Sequence, residues 1–361
     1  MRLAFVGDLA LGDHPKTVGF GFHSRYADGI PAREASRLPP PGPRPDLLFG
    51  NLEFCLGLDP ATDLDLASRQ CRGLDSYATF LALAGVAVVN VANNHCAQHG
   101  SSAFAATVQT CRAAGMTVVG TPADFTEAAA IPVGDRRVVF LGWSDRPRQY
   151  ARETPPYNEL ADHAPEIIRA ARTHADVVLV SVHWGDEFVQ VPAERERQVA
   201  RSLIDAGATI VVGHHPHVLR EVEEYRHGLI AYSLGNFVGD MTWNSDTRVG
   251  ACLVVELDGD RLLRQHLALS RIESDYLPRY LSGTELTRTA ARVERRRRRQ
   301  AHRIARLGYA AVVAAEHRRQ VGATALMMAR NVHRYSPGVL LPMLTGALRH
   351  RVTRAATGAR S

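Results

Sequence analysis

This sequence contains few cysteines, no long apolar run and no pattern that is typical of nucleic-acid binding. Its 361 residues include only 5 cysteines, an odd and scattered set that excludes the disulfide framework of a small secreted domain. No apolar run reaches the roughly 18 residues of a membrane-spanning helix. Basic residues are not interleaved with aromatic ones, which disfavours nucleic acid as a partner. Hydrophobic residues make up 45% of the chain, so its length permits one or two domains with a substantial core.

Positive charge comes almost entirely from arginine and is concentrated at one end of the chain. Lys16 is the only lysine. Residues 285–361 contain 17 arginines and 3 acidic residues, a net charge of +14, whereas residues 1–284 carry −8. This asymmetry predicts an acidic domain over residues 1–270, followed by a basic, mainly helical extension over residues 271–361.

The sequence leaves three interpretations of the basic extension open. Residues 295–299 are expected to begin a helical stretch, and apolar segments follow at residues 325–329 and 339–344. The arginines could be solvated on helices packed against the body, or they could contact anionic membrane lipid or an anionic polymer. Nucleic acid is the third and least favoured partner. Because every candidate ligand lies before residue 220, we expect the extension to be dispensable for the chemistry.

Five short apolar runs each end in side chains that can bind a metal ion. Runs of this length, rich in valine, isoleucine and leucine, are typical of strands buried on both faces. Ligands gather beyond the carboxyl ends of such strands. Helical patterns alternate with the runs, as in α/β folds, at residues 76–84, 101–114, 159–173 and 193–206. The side chains at the strand ends are Asp8; Asn51 and Glu53; Asn93, Asn94 and His95; His183; and His214, His215 and His217.

The mixture of carboxylate, amide and imidazole groups indicates a particular kind of metal site. Carboxylates supply charge and can bridge two cations, and neutral imidazoles suit Mn, Fe or Zn. A set without thiolates suits two divalent ions that share a carboxylate and act on a phosphate ester. His215 and His217 are two positions apart on an extended chain, so they can converge on neighbouring points. We therefore expect two divalent metal ions.

The strand ends belong to six motifs in a fixed order: Gly7-Asp8, Asn51-Leu-Glu53, Ala92-Asn-Asn-His95, His183-Trp-Gly-Asp-Glu187, Gly213-His-His-Pro-His217 and Ser233-Leu-Gly-Asn-Phe237. Together they resemble the CapA-type capsule-synthesis proteins, the poly-gamma-glutamate biosynthesis branch of the calcineurin-like metallophosphoesterases. The resemblance spans about residues 1–260. It implies a four-layer α/β/β/α sandwich with a dinuclear site on the loops that follow the strands.

The resemblance also implies a role for each candidate ligand. It assigns one metal ion to Asp8 and His217, and it gives Glu53 a bridging position between two ions. The catalytic group, which would protonate the leaving oxygen or polarise phosphate, is His95. The other metal ion is assigned to Asn94, His183 and His215.

Two departures from the superfamily pattern concern the metal ligands. The first motif reads Asp8-Leu-Ala10, where general phosphoesterases have a histidine in place of Ala10. Asp13 and His14 are candidates to fill that position. The bridging residue is Glu53 rather than the usual aspartate, as in the capsule branch. Both departures weaken the inference of ordinary phosphatase activity.

Five further residues near the motifs are expected to contact substrate or to support the ligands. Trp184 is expected to pack beside the site rather than to form a substrate platform. Glu187 binds substrate or a cation, or it is a solvated cap. His214 is expected to support the site, because its neighbours have the ligand spacing. Asn51 and Asn236 are also expected to contact substrate or to support the ligands. Asn236 could instead only stabilise the backbone of a turn.

The sequence supports two functions of different classes. One is a metal-dependent hydrolase of phosphoester type in capsule or anionic surface-polymer biosynthesis, acting on a phosphorylated substrate. The alternative is a non-hydrolytic polyglutamate biosynthesis or export factor that binds carboxylates at the metal site. His95 favours hydrolysis, and the missing first-motif histidine favours the alternative. Because Met1 leads at once into a predicted strand, we expect no signal peptide and a cytoplasmic protein, with peripheral membrane contact only through the extension.

Overall fold

Two β-sheets packed face to face form the centre of the molecule. In the computed structural model, one sheet has 8 strands and the other has 6. The residues that the structure describes are 1–59, 61, 63, 65–122, 130–146 and 154–340. The strands are β1 (Arg2–Leu9), β2 (Leu47–Leu52), β3 (Val86–Asn90), β4 (Thr117–Val119), β5 (Ala130–Val133), β6 (Arg136–Ser144), β7 (Val177–His183), β8 (Ile210–His214), β9 (Val222–Tyr225), β10 (Gly228–Ala231), β11 (Asn236–Val238), β12 (Val249–Asp258), β13 (Arg261–Ile272) and β14 (Pro278–Tyr280).

Each sheet combines parallel and antiparallel strands, and the antiparallel strands lie towards one edge of the first sheet and at both edges of the second. The first sheet has the order β14-β13-β12-β1-β2-β3-β4, and β11 also pairs with β1. Strands β1 to β4 are parallel, whereas β12, β13 and β14 run antiparallel to their neighbours. The second sheet has the order β5-β6-β7-β8-β10-β9, in which β6, β7 and β8 are parallel. The parallel strands are the ones that carry the predicted ligands.

Helices cover the outer faces of both sheets and complete four layers. Alternate residues of β1 show the arrangement, because Phe5 packs between the sheets and Val6 packs towards the helices of the first sheet. Tyr77 lies in that outer layer, and Ile168 lies in the outer layer of the second sheet. The fold is therefore the expected α/β/β/α sandwich. The helices are α1 (Phe22–Arg25), α2 (Leu66–Arg69), α3 (Ser76–Leu83), α4 (Gly100–Ala113), α5 (Ala164–Arg172), α6 (Glu194–Asp205), α7 (Gly283–Leu307) and α8 (Tyr309–Arg330), with short 3-10 helices at Ala32–Arg37 and Val332–Arg334.

Three of the four predicted helices of the body, which are α3, α4 and α6, have bounds close to the prediction. The helix expected at residues 159–173 begins only at Ala164, so its predicted start is wrong. The backbone before it is held extended, because Ser144 N donates to Asn158 O at 2.9 Å and Leu160 N donates to Ser144 O at 2.8 Å. A contact with a distant strand therefore overrides the local helical pattern.

Two long helices form most of the part of the extension that the structure describes. Helix α7 begins at Gly283, before the start expected at residues 295–299, and α8 follows it after Gly308. The first sheet continues beyond residue 270, since β13 crosses that position and β14 pairs with β13. Residues 341–361 lie outside the described residues, and with them most of the apolar segment expected at residues 339–344. Within the part of the chain that the structure describes, no helix is both long and apolar enough to cross a membrane.

Acidic residues of the body neutralise part of the charge of the extension. Buried Asp246 pairs with Arg296 and Arg319, each at 2.6 Å. Glu221 pairs with Arg297 at 3.1 Å. The helices are therefore packed on the body through ion pairs as well as apolar contacts. Seven exposed arginines of the extension form no ion pair with any described residue: Arg288, Arg295, Arg299, Arg306, Arg318, Arg330 and Arg334.

Candidate metal centre

The carboxyl ends of parallel strands bring the predicted ligands to one region of the sandwich. Asp8 on β1 pairs in register with Asn51 on β2, and His183 on β7 pairs in register with His214 on β8. Glu53 directly follows β2. Because the two sheets face each other, these strand ends from both sheets meet at the same end of the sandwich.

Five of the predicted ligands form two overlapping groups that could each hold a metal ion. One group is Asp8, Glu53 and His217, and the other is Glu53, His183 and His215. Within each group, the ligand atoms lie within 4.8 Å of one another. The Oε1 atom of Glu53 lies 3.5 Å from His183 Nε2 and 3.8 Å from His217 Nε2. Glu53 is therefore common to both groups.

Asparagine side chains surround His183 on both sides of its ring. Asn94 Oδ1 lies 3.0 Å from His183 Nε2, which adds an amide oxygen to the second group. The Asn51 side chain lies 3.5 Å from His183 Nδ1, on the other side. Asn51 Oδ1 in turn accepts from the side chains of Asn90 at 3.2 Å and Asn93 at 3.3 Å. Sequence analysis missed Asn90, although its place at the end of β3 is the same signal that identified the others.

Several buried polar atoms of the two groups have no hydrogen-bond partner among the described residues. They are both carboxylate oxygens of Glu53, both ring nitrogens of His215 and Oδ2 of Asp8. Leaving such an atom unpaired costs about 1–3 kcal/mol, so a cluster of them indicates that another group completes their bonding. Carboxylate oxygen and imidazole nitrogen suit Mn, Fe or Zn. The residues therefore fit a divalent metal centre.

The electrostatics of the first group also favour a cation. Burial and the charge of Asp8 raise the pKa of Glu53 well above its usual value. Burial by itself would lower the pKa of His217, but Glu53 and Asp8 outweigh it and raise that pKa to about 10. A proton on His217 therefore supplies positive charge next to both carboxylates. A metal ion bound there would supply that charge instead, and its binding would release a proton.

Asp8 is oriented by two hydrogen bonds to one of its oxygens. Asn51 Nδ2 donates to Oδ1 at 2.9 Å, and His214 Nδ1 lies 3.1 Å from the same oxygen. Burial would raise the pKa of Asp8, but its interactions with His214 and His217 outweigh burial, so this pKa lies well below its usual range. Oδ2 remains for a cation. His214 thus contacts a predicted ligand rather than joining either group.

Backbone strain occurs at two of the predicted ligands. His215 has φ 93° and His217 has φ 57°, in the left-handed region that residues other than glycine rarely adopt. Such strain is found at functional sites, where the surrounding structure holds it in place. Nearby, β1 and β11 approach so closely that a Cβ at Gly7 would lie 1.9 Å from Gly235 O. Only glycine fits there, directly before Asp8.

Asn236 fixes the orientation of the His217 ring. Its Nδ2 donates to the carbonyl oxygen of Thr247 at 3.1 Å, so its Oδ1 faces His217 Nδ1 at 2.8 Å. His217 therefore donates from Nδ1, and Nε2 remains for a metal ion. A turn-forming role, which the sequence also allowed, does not account for these contacts.

Replacing Asn236 by alanine should weaken metal binding without removing a ligand. Because the His217 ring would lose the group that orients it, we expect the dissociation constant for Mn²⁺ to rise roughly 10–100-fold. Isothermal titration calorimetry of the metal-free protein measures this change. Asn331→Ala, at the end of α8, is the matched control and should leave the affinity unchanged. Equal affinities for the two variants would contradict the role of Asn236.

His95 lies in the lining of a cavity beside the ligands. Its Nδ1 is 2.8 Å from Gln98 Oε1, an atom that only accepts hydrogen bonds, so Nδ1 donates. Burial lowers the pKa of His95, and the bond to Gln98 acts in the opposite direction. Nε2 is therefore the ring nitrogen of His95 that would exchange a proton with another molecule. Gln98 was not identified from the sequence, although a polar residue three positions after a candidate catalytic histidine is the signal that could have found it.

Glu187 and Trp184 have different surroundings, although both follow β7. The Glu187 carboxylate lies in the cavity lining, within 4.8 Å of ligand atoms of His215 and His217. Trp184 is fully buried in the core of the second sheet, and its Nε1 donates to Tyr232 O at 3.1 Å. Glu187 therefore faces the metal centre, whereas Trp184 packs behind it.

Neither candidate for the missing first-motif histidine joins a ligand group of the described residues. The carboxylate of Asp13 accepts from the backbone nitrogens of Gly19 at 3.1 Å and Ser24 at 3.0 Å, so it anchors its own loop. His14 lies in the cavity lining, where its Nδ1 accepts from Lys16 N at 3.0 Å. Burial lowers the pKa of His14 to about 3. The expectation that Asp13 fills the position is therefore wrong, and His14 is at most a neighbour of the centre.

The cavity has a volume of about 530 Å³ and is closed on one side by the extension. Glu53, Asn94, His95 and His217 line it at the metal centre. The opposite wall is formed by residues of α8, which are His317, Gln320, Val321, Thr324, Ala325 and Met328. Removing the extension would open the cavity. This position does not test the expectation that the extension is dispensable for the chemistry, which stays a prediction because every ligand group lies outside the extension.

Comparison with known families matches most of the sandwich. A sequence profile described as the bacterial capsule synthesis protein PGA_cap matches residues 2–241, which include every candidate ligand. The chain belongs to this family. The matched span contains all six motifs, from Gly7-Asp8 to Ser233-Leu-Gly-Asn-Phe237.

Three relatives of this chain have names that indicate a role. The capsule biosynthesis protein CapA of Bacillus anthracis is 31% identical over 256 residues, 67% of this chain and 61% of that protein. The PGA biosynthesis protein CapA of Bacillus subtilis is 39% identical over 166 residues, 43% of each protein. A probable polyglutamine synthesis accessory protein of Mycobacterium tuberculosis is 32% identical over 171 residues, 42% of this chain and 45% of that protein. The chain thus spans less than two thirds of each relative.

The match to the capsule synthesis family ends before the extension. Residue 241 precedes Trp243, strands β12 to β14 and both long helices. The matched span therefore contains the metal-centre side of the cavity. The α8 wall lies outside it.

Proposed function

We propose that this protein is a metal-dependent hydrolase of phosphoester type that acts in the biosynthesis of capsule or another anionic surface polymer. The observation that carries the proposal is Glu53. Its carboxylate is buried, belongs to both ligand groups and has no hydrogen-bond partner among the described residues. A carboxylate in this position is suited to bridge two divalent ions. The family supports the biosynthetic setting.

The residues of the chain divide into ligands and groups that orient them. Asp8 and His217 would hold one ion, and Glu53 would contact both. When bound, two ions of Mn, Fe or Zn would supply positive charge for a phosphate group and would activate water. Asn51, His214 and Asn236 orient Asp8 and His217 through the hydrogen bonds described above. The second ion would be held by Asn94, His183 and His215.

His95 is the residue that we propose for proton transfer. It lines the cavity, and the bond from its Nδ1 to Gln98 fixes the plane of the ring. A proton held at Nε2 could pass to the oxygen of the leaving group when the phosphoester bond breaks. Because His95 lines the cavity together with the predicted ligand Asn94, the proton donor would lie beside the metal centre.

A non-hydrolytic factor for polyglutamate biosynthesis or export is the second candidate. The observation that favours it is Ala10, which leaves the first ion without the histidine of ordinary phosphoesterases. Such a site could bind the carboxylates of an anionic polymer without cleaving a bond. The seven exposed arginines of the extension without an ion pair would serve polymer contact in either case.

Metal analysis followed by a substrate panel distinguishes the two candidates. The protein is purified without oxygen, its metal content is measured, and phosphomonoesters and phosphodiesters are tested with added Mn²⁺, Fe²⁺ or Zn²⁺. We expect metal-dependent hydrolysis of at least one ester class. Binding of polyglutamate without hydrolysis of any ester would favour the second candidate.

A further inference from the structure

The cavity beside the metal centre is lined by both polar and apolar side chains. Ligands and acidic groups belong to its lining. The lining also includes Met241 and Trp243 and, on α8, the apolar Val321, Ala325 and Met328 beside the polar His317, Gln320 and Thr324. Val321 is 68% exposed, so its side chain is not packed into a core. A molecule bound in the cavity would therefore meet charged groups of the centre as well as aliphatic and aromatic surface.

The extension is docked on the segments that line this cavity. Buried Gln300 accepts from Gln190 N at 2.7 Å and donates to Phe188 O at 3.3 Å, and Phe188 is a lining residue. Buried Gln320 accepts from the side chain of Asn244 at 2.6 Å, next to the lining residue Trp243.

A third docking contact reaches the other rim of the cavity. The Tyr335 hydroxyl donates to Lys16 O at 2.7 Å, and the Tyr335 ring packs edge-on against Phe20 with centroids 4.9 Å apart. Lys16, the only lysine of the chain, also lines the cavity. Buried polar contacts of this kind specify one arrangement. The position of α8 relative to the cavity is therefore built into the fold.

We propose that α8 is the substrate-facing wall of the cavity and binds the aliphatic part of a ligand whose acidic group lies at the metal centre. This inference rests on the proposed function for the position of the acidic group. The charge of the ligand follows from the cations that the centre fits and from Lys16 at the rim. The aliphatic part follows from the apolar side chains of α8 and from Met241 and Trp243 beside them.

The proposal predicts that affinity depends on the length of an alkyl chain. Each methylene buried against an apolar wall strengthens binding about fourfold. Methylphosphonate and hexylphosphonate share an acidic group and differ by five methylenes. We expect hexylphosphonate to bind the manganese-loaded, full-length protein at least roughly tenfold more tightly, since the chain would be partly buried. Isothermal titration calorimetry measures both affinities, and acetate and heptanoate provide the matching carboxylate pair.

Two neighbouring positions on α8 provide the variant and its control. Ala325 lines the cavity, whereas Leu326, which is 51% exposed, does not. Ala325→Trp should fill the wall and weaken hexylphosphonate roughly tenfold, while methylphosphonate and metal content stay unchanged. Leu326→Trp should change none of these values. Met328→Ala is a second test that adds no bulk, and it should reduce the difference between the two chain lengths.

The outcomes separate this proposal from the proposed function. Equal affinity for the short and long ligands would contradict the proposed role of the α8 wall. Equal effects of Ala325→Trp and Leu326→Trp would contradict it as well. Neither outcome would contradict the metal centre. If only the carboxylate pair binds, the hydrolase loses support and the chain-length comparison still tests the wall. If no acid of either pair binds the metal-loaded protein, both proposals fail together.

Discussion

Glu53→Gln should remove the shared position of the metal centre and leave the fold intact. Glutamine has the same shape but lacks the charge that would bridge two cations, so bound Mn²⁺ should fall from two ions per chain to one or none. The affinity for Mn²⁺ should fall by more than the roughly 10–100-fold expected when a residue that only orients a ligand is removed. Metal analysis after dialysis measures the change, and phosphoester turnover should fall with it.

The same substitution should have a different effect on the metal-free protein. Burial and Asp8 raise the pKa of Glu53, which means that its charged form is unfavourable there. The Tm of metal-free Glu53→Gln protein should therefore equal or exceed that of the native protein, whereas the rise in Tm on adding Mn²⁺ should disappear. Glu166→Gln, on an exposed part of α5, is the matched control. Full metal content in the Glu53 variant would exclude a bridging role.

His95→Ala should separate catalysis from metal binding. If His95 transfers a proton and binds no metal, its loss should lower turnover of a phosphoester by roughly 10²–10⁴ and leave metal content unchanged. Steady-state kinetics of metal-loaded protein, with metal analysis of the same sample, measures both effects.

Two further variants control for indirect effects at His95. Gln98→Ala removes only the partner of Nδ1, so its loss of turnover should be smaller than that of His95→Ala. His227→Ala, on the exposed turn between β9 and β10, should have no effect. Loss of metal together with activity in His95→Ala would make His95 a ligand, and unchanged turnover would remove it from the mechanism.

The central part of the fold could be predicted from the sequence because burial leaves a local pattern there. Strands such as β7 and β8 lie inside the sandwich, so their apolar runs are nearly continuous, with Ser181 the exception in β7. The polar residue that ends each run is therefore easy to identify. The start of α5 could not be predicted in this way. The residues before it are extended because of hydrogen bonds to Ser144, and no short-range pattern encodes that contact.

The contacts that orient the ligands were harder to predict than the ligands themselves. Strand ends indicate that Asp8 and His217 approach each other, but not that Asn236 lies against the His217 ring. That contact depends on the parallel pairing of β1 with β11. These two strands are far apart in the sequence. The sequence also made Asp13 a candidate ligand, because it closely follows the first motif in the sequence. Its carboxylate is instead bonded to its own loop.

The α8 wall was missed for a different physical reason. The strong positive charge of the extension indicates a solvated surface, and residues such as Ala325 and Val321 are ordinary in a helix. What places them at the cavity is a set of buried contacts, through Gln300, Gln320 and Tyr335, to loops far away in the sequence. Composition carries no information about such pairings.

The most direct test of the metal centre is a crystal structure of manganese-loaded protein with anomalous scattering data. We predict two anomalous peaks roughly 3.5–4 Å apart, with the Glu53 carboxylate contacting both. Asp8 and His217 should lie at one peak, and His183 and His215 should lie at the other. A single peak away from Glu53, or none at full Mn²⁺ occupancy in solution, would contradict the account.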